Sequence, residues 1–311
     1  MSRDTYTYDP QEARDTSLRR PSRQRQTPTR DDRNERGGDS NSEPSAGTAR
    51  EPICRPLEPE RLDSPRAYSD RGQSYLLRGS ELRTLAEVGT FRVVTPNDLA
   101  KYVYGGDNAR MERDIRRLKQ ASIVTDKTIE VSRKKTLRVL TLTKRGHHLL
   151  RKTGRLPEEQ SSYHGLVKPK EAQHDAALYR LYQKEAARIE SAGGHPVRVV
   201  LDYELKRDVN RELARVPKNE DAEEERQGIA ERHGLHVIDG KIPLPDLRIE
   251  YENADLEPRH VDLDLITRDY RPREVSEKAR AGFGLYSPTE DAPRLRRILN
   301  DRDLTATILS L

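Results

Sequence analysis

Asp246, Asp262 and Asp264 are the residues of this chain whose type and spacing come closest to a chemistry. They lie in PLPDLRIEYENADLEPRHVDLDLITRDY, residues 243–270, the first directly after a proline and the other two inside an apolar run. Carboxylates placed in this way are either ligands of a divalent metal, which binds through hard oxygen donors as at a nuclease centre, or the water-facing half of two alternating strands. Successive strand residues point to opposite faces, so Asp262 and Asp264 share one face while Val261, Leu263 and Leu265 share the other. The two acids therefore face one site together or face water together.

Other chemistries lack their residues. There is no G-x-x-x-x-G-K-[ST] phosphate loop, and the single cysteine, Cys54, cannot build a zinc site. None of the 13 tyrosines is accompanied by the H-x-H metal triad of a strand-transferring relaxase. His147 and His148 are adjacent, so a helix points them to different sides and they read as ordinary surface or boundary residues.

The elements that position the three acids must come from a chain that is only 32% apolar and 36% charged, so the core is smaller than 311 residues suggest. Residues 1–75, rich in Arg, Ser, Pro, Gly and Asp, bury too little apolar surface to offset the entropy of ordering and read as a disordered tail. Cys54 lies in that tail, which excludes an intrachain disulfide and suits a reducing compartment. The N-terminus MSRDTYTYDP has no apolar signal core, and no apolar run reaches the roughly 20 residues of a membrane helix. A soluble, cytoplasmic protein without membrane partners is expected.

Charge is distributed unevenly. Residues 1–77 carry 14 basic and 14 acidic side chains, residues 78–155 carry 19 and 8, and residues 156–311 carry 25 and 31. A compact segment with such a positive excess is the electrostatic footprint of a phosphate-backbone binder or, more blandly, a solvated basic surface.

Within that segment, residues 76–155, SELRTLAEVG predicts a helix stopped by Gly89. TPNDLAKYVYGG predicts a second, with Thr95 as N-cap and Pro96 at the first helical position. NARMERDIRRLKQA predicts a third, with Met111, Ile115 and Leu118 inward and Arg110, Arg113, Arg116 and Arg117 on the opposite side. Two strands follow, joined by a turn whose tip carries Arg133, Lys134 and Lys135, and a further helix begins near KRGHHLLRK. Three helices and a basic wing are the order of a winged helix-turn-helix, whose third helix enters the major groove of double-stranded DNA. These seven cations are the candidate DNA contacts, guanidiniums pairing with guanine edges or phosphates and lysines reaching the backbone as point charges. The alternative is a winged helix used for protein contacts.

Residues 165–311 predict an α/β (α+β) unit in the order αβββαβ: a helix over 171–191, a strand PVRVVLDYEL, a charged insertion over 206–240 adding little core, strands PDLRIEYE and RHVDLDLIT, a helix PREVSEKARAGFGLY and a final strand LTATILSL. That order, with an acid after proline at the second strand and spaced acids in the third, resembles the PD-(D/E)XK nuclease-like (restriction-endonuclease-like) fold. With a basic winged helix and QHDAALYRLY in front of it, the chain resembles over residues 76–311 the bacterial replication-relaxation family of plasmids and other mobile elements; His174-Asp175 is the part most like that family.

The resemblance implies that Asp246 and Asp262 would hold Mg2+ or Mn2+, with Asp264 standing where the motif has a lysine. Lys278 on the next helix would then be the displaced cation and Glu204 or Glu171 an outer carboxylate. It further implies a DNA-binding protein of a plasmid or integrated element, acting in replication or relaxation, with other replication or transfer proteins as partners and a degenerate nuclease-like domain. The alternative is a magnesium-dependent endonuclease that nicks or cuts with Asp246 and Asp262.

Overall fold

The computed structural model describes residues 64–132, 135–165, 168–217, 222–267, 269–301 and 308–310, all within the unit Ala49–Leu311. Most of the expected tail, residues 1–63, lies outside the described residues, but its end does not. Arg66–Asp70 (β1) and Gln73–Leu77 (β2) form an antiparallel hairpin that sends Tyr75 and Leu77 into the core. Alternation in so short a stretch is masked by an apolar Leu76 pointing outward and an acidic Asp70 buried at the end of β1, which is why composition alone reads it as tail.

Three helices follow: α1 (Gly79–Phe91), α2 (Pro96–Tyr102) and α3 (Asn108–Gln120). Thr95 Oγ1 accepts from the Asp98 amide (3.1 Å) at the start of α2, and Asp107 Oδ1 accepts from the Arg110 amide (2.8 Å) at the start of α3. Gly89 does not stop α1, which runs two residues further. A β-carbon there would stand 2.4 Å from Leu150 Cδ2, so this glycine permits close packing rather than a turn. Strands β3 (Val124–Ser132) and β4 (Lys135–Leu142) pair antiparallel, and Val94 bridges to Leu140 beside them. Helix α4 (Lys144–Lys152) follows, capped by Thr143, whose Oγ1 accepts from the Gly146 amide (3.0 Å).

Beyond it lie α5 (Pro169–Ser191), β5 (His195–Leu201), α6 (Asp202–Leu213), α7 (Ala222–Arg232), β6 (Leu247–Glu252), β7 (Pro258–Leu265), α8 (Pro272–Arg280), β8 (Gly284–Ser287), α9 (Ala292–Asn300) and β9 (Ile308–Ser310). The sheet order is β5-β6-β7-β8-β9, antiparallel through β7 and parallel from β7 to β9, with α8 and α9 as the crossovers that parallel strands require. Leu247, Ile249, Leu263, Leu265 and Tyr286 face the α5 side, whereas Leu285 and Ile308 join a second cluster with α6–α9.

The chain is thus mixed α/β, with further departures from the expected elements, among them the unforeseen helix α9. Strand β5 ends at Leu201, and DYEL already begins α6. The charged insertion does supply core: Val209, Ile229, Ala230 and Leu235 are buried, because sparse apolar residues on one side of each helix suffice when the charges all face out. GFGLY is not helical. The chain breaks at Gly282 (φ +81) and re-enters the sheet as β8.

One hydrophobic cluster runs from Tyr75 and Phe91 through Tyr179 and Tyr182 to Leu263 and Tyr286, uniting the helical part with the sheet. Phe91 lies 5.0 Å from Tyr179 and 4.9 Å from Tyr182, ring centre to ring centre. Phe91→Ala should therefore cost about 3–5 kcal/mol, and calorimetry should show a single transition shifted as a whole, with no separate unchanged melting of the sheet.

Candidate functional site

Helix α3 has two faces with different fates. Inward, Met111, Ile115 and Leu118 are buried together with Asp114. Asp114 Oδ2 accepts from Ser80 Oγ (2.6 Å) and Tyr104 Oη (3.2 Å), and Thr84 bonds to the same tyrosine (2.8 Å). A carboxylate fully withdrawn from water must be hydrogen-bonded, and this network fixes how α3 lies on α1. Outward, Arg113 and Arg116 are exposed and have no partner among the described residues.

The other expected cations differ. Arg117 is a tether, 3.3 Å from the buried Glu81 carboxylate and donating to the Leu76 carbonyl (3.5 Å) on β2. Arg110 is half-buried at the start of the helix. Arg133 and Lys134 lie outside the described residues, and Lys135 opens β4. Glu112, which would repel an anion beside Arg113, is taken up by Arg138 of β4.

The second candidate site lies at the start of β6 and the end of β7. Leu247 pairs with Leu263 and Arg248 with Asp262, so the register and the alternation of β7 set Arg248, Asp262 and Asp264 on one face, while Asp246 directly precedes β6. On that shared face the two expected acids of β7 have different neighbours. Asp262 is neither in water nor beside Asp246: its carboxylate is gripped by Arg248, Nε to Oδ1 at 2.6 Å and Nη2 to Oδ2 at 2.7 Å, with the pair 8% and 9% exposed. Arg248 also donates to the His233 carbonyl (2.6 Å).

Asp264, 0% exposed, is the acid brought to Asp246. Lys278 Nζ donates to Asp264 Oδ2 and to the Leu244 carbonyl (2.6 Å), and Tyr270 Oη lies 3.4 Å from Asp264 Oδ1. Asp246 Oδ2 accepts from the Leu265 amide (2.9 Å) and lies 3.2 Å from His174 Nε2, while His174 Nδ1 lies 3.6 Å from Asp175. Glu204 is elsewhere, buried between Arg198 and the Tyr163 hydroxyl (3.1 Å), and Glu171 sits in the first turn of α5. The acid that does sense Asp246 is Asp202, which sequence reasoning missed because PVRVVLDYEL hides the end of β5.

Electrostatics divides these groups. Burial, reinforced by the charge of Asp246, pushes the Asp264 carboxyl up to about 7 even with Lys278 against it. Burial also opposes ionisation of Asp246, but the hydrogen bond and charge of His174, with Lys278 and the Leu265 amide, hold it below the usual carboxylate range. Burial works against a charged His174 as well, yet Asp175 and Asp246 bring it up to about 10. The centre thus contains an imidazolium and an ammonium facing one half-buried and one fully buried carboxyl group.

Mg2+ or Mn2+, which the nuclease resemblance implies, does not fit this donor set. Asp246 Oδ2 already takes two N–H donors and Asp264 takes an ammonium and a phenol, whereas these metals need converging, unencumbered oxygen ligands. Among the described residues no three His, Cys, Asp or Glu side chains are grouped to hold a metal ion. Among them, too, no helix is long and apolar enough to cross a membrane. In comparisons with known proteins, no family model and no curated protein matches the chain.

Removing one member of the Arg248–Asp262 pair leaves a buried, uncompensated charge. Asp262→Ala should therefore destabilise the protein by about 3–5 kcal/mol in urea denaturation. A solvent-facing acid at this position would change stability by no more than about 0.5 kcal/mol.

Proposed function

We propose that the protein is a double-stranded DNA-binding factor that reads the duplex with α3 in a winged-helix arrangement. Its sheet is a nuclease-like core held together by internal ion pairs rather than by a catalytic metal. The observation that carries this reading is the outer face of α3, where Arg113 and Arg116 are exposed and without partners among the described residues while the opposite face is locked through Asp114, Met111, Ile115 and Leu118. Unpartnered guanidiniums on a rigid helix are suited to guanine edges and phosphates, and they lie in the one segment with a large positive excess. The order α1-α2-α3-β3-β4, with Val94 joining the β-pair, supports the winged-helix assignment.

The resemblance of residues 76–311 to the replication-relaxation family supports a role at an origin or transfer region of a plasmid or integrated element. The endonuclease reading draws on one observation, the convergence of Asp246, Asp264 and Lys278. It is the less favoured because the carboxylates are already engaged.

Binding of the full chain to a duplex library at several salt concentrations tests the proposal. Arg113→Ala should weaken binding at preferred sites by about 1–3 kcal/mol if it reads a base, or lower the log–log salt slope by roughly one if it holds a phosphate. Unchanged affinity and slope in Arg113→Ala and in Arg116→Ala would remove α3 as the reading element.

A further inference from the structure

A cavity of about 280 Å3 lies between the β1–β2 hairpin and the start of α4, lined by Asp70, Arg71, Gln73, Tyr75, Lys144 and Arg145. Its three cations, Arg71, Lys144 and Arg145, are exposed. Its only acid is already neutralised: Asp70, 3% exposed, lies 2.8 Å from His148 Nδ1 and 2.9 Å from Lys152 Nζ, and Lys152 holds its carboxyl below the usual range. With that acid engaged, Arg71 and Arg145 give the cavity two exposed guanidiniums with no partner among the described residues.

Two of these placements are locally unfavourable. Arg71 and Gly72 form the two-residue hairpin turn with φ of +48° and +77°, a turn that favours asparagine or aspartate before glycine and disfavours a long side chain at positive φ. Lys144 and Arg145 occupy the first turn of α4, where the helix dipole favours acids, and that turn has none. Residues that break local rules together at one place mark a functional position rather than a stabilising one. The mount is rigid, because Asp70 anchors the hairpin to α4, Tyr75 and Leu77 enter the core, and the Leu76 carbonyl accepts from Arg117 of α3.

We infer that this cavity binds a phosphate group of the DNA backbone flanking the segment read by α3. The tether from Arg117 to Leu76 makes the hairpin a neighbour of α3, so one duplex serves both, and the assignment rests on the proposed function. The contact adds affinity without sequence preference, since phosphates carry no base information.

Salt titrations of duplex binding by the full chain, comparing wild type with Arg71→Asn, Arg145→Gln and Arg113→Ala, test this. Arg71→Asn and Arg145→Gln should each weaken binding several-fold on every sequence and lower the salt slope by roughly one. The melting temperature of Arg71→Asn should be equal to or above that of wild type, because Asn-Gly suits the turn; loss of binding in a variant no less stable cannot come from a misfolded hairpin. Wild-type affinity and slope in both cavity variants, with binding weakened in Arg113→Ala, would overturn the cavity assignment and leave the α3 reading standing. No loss in any of the three would overturn both. Inorganic phosphate that raises the melting temperature of wild type but not of Arg145→Gln, with DNA slopes unchanged, would assign the cavity to a free anion and equally overturn the DNA contact.

Discussion

Two carboxyl groups, Asp246 and Asp264, are set side by side at the junction of β6 and β7, one of them wholly out of water. Unrelieved, such a pair is untenable, because desolvation of each ion costs several kcal/mol and their repulsion adds to it. The protein answers from both faces of the sheet. Helix α5 brings His174 to Asp246, and α8 brings Lys278 to Asp264 while the same ammonium satisfies the Leu244 carbonyl. The placement of both helices is thereby constrained by charge as well as by apolar packing. Arg248 and Asp262, next along the same face, repeat the solution with a bidentate pair.

Helix α5 has a second duty. The stretch after His174 carries Tyr179 and Tyr182 against Phe91 of α1, and Tyr179 also meets Tyr102 of α2 edge-on at 5.9 Å. Arg180 adds a 3.4 Å contact to Asp98, the residue whose amide is capped by Thr95. Arg92, at the end of α1, stacks 4.8 Å over Tyr203, next to Asp202 at the carboxylate centre. The helical part that carries α3 and the carboxylate centre are therefore built on one shared core, and reorientation of one against the other would expose the aromatic contacts at their junction.

Local rules written in adjacent residues were legible in the sequence. Thr95-Pro96 starts α2 as expected, and the spacing of Met111, Ile115 and Leu118 fixes the inward face of α3. Strand parity correctly placed Asp262 and Asp264 on one face. It could not say which partner each of them takes, because Arg248 pairs with Asp262 only through a cross-strand register, and Lys278 reaches Asp264 from the next helix, which no local pattern prints. Arg117 looks like its neighbours in sequence and differs only because Glu81 is buried beneath it. Gly89 resembles a helix stop in sequence because glycine ends helices more often than it admits a neighbouring leucine. Asp202 was hidden by an apolar run that continues as an amphipathic helix without a turn residue between. The hairpin was lost in a polar composition, and its unusual turn residue carries meaning only once its place beside α4 is known.

With Asp246 engaged by His174 and Asp264 by Lys278, the carboxylate centre has no place for a divalent metal. Thermal melting of the full chain with and without millimolar Mg2+ or Mn2+ tests it most directly, since any ion bound by the native state raises the melting temperature by mass action. Curves with either metal should coincide with the metal-free curve. A concentration-dependent rise that is lost in both Asp246→Asn and Asp264→Asn would contradict it and restore these acids as metal ligands.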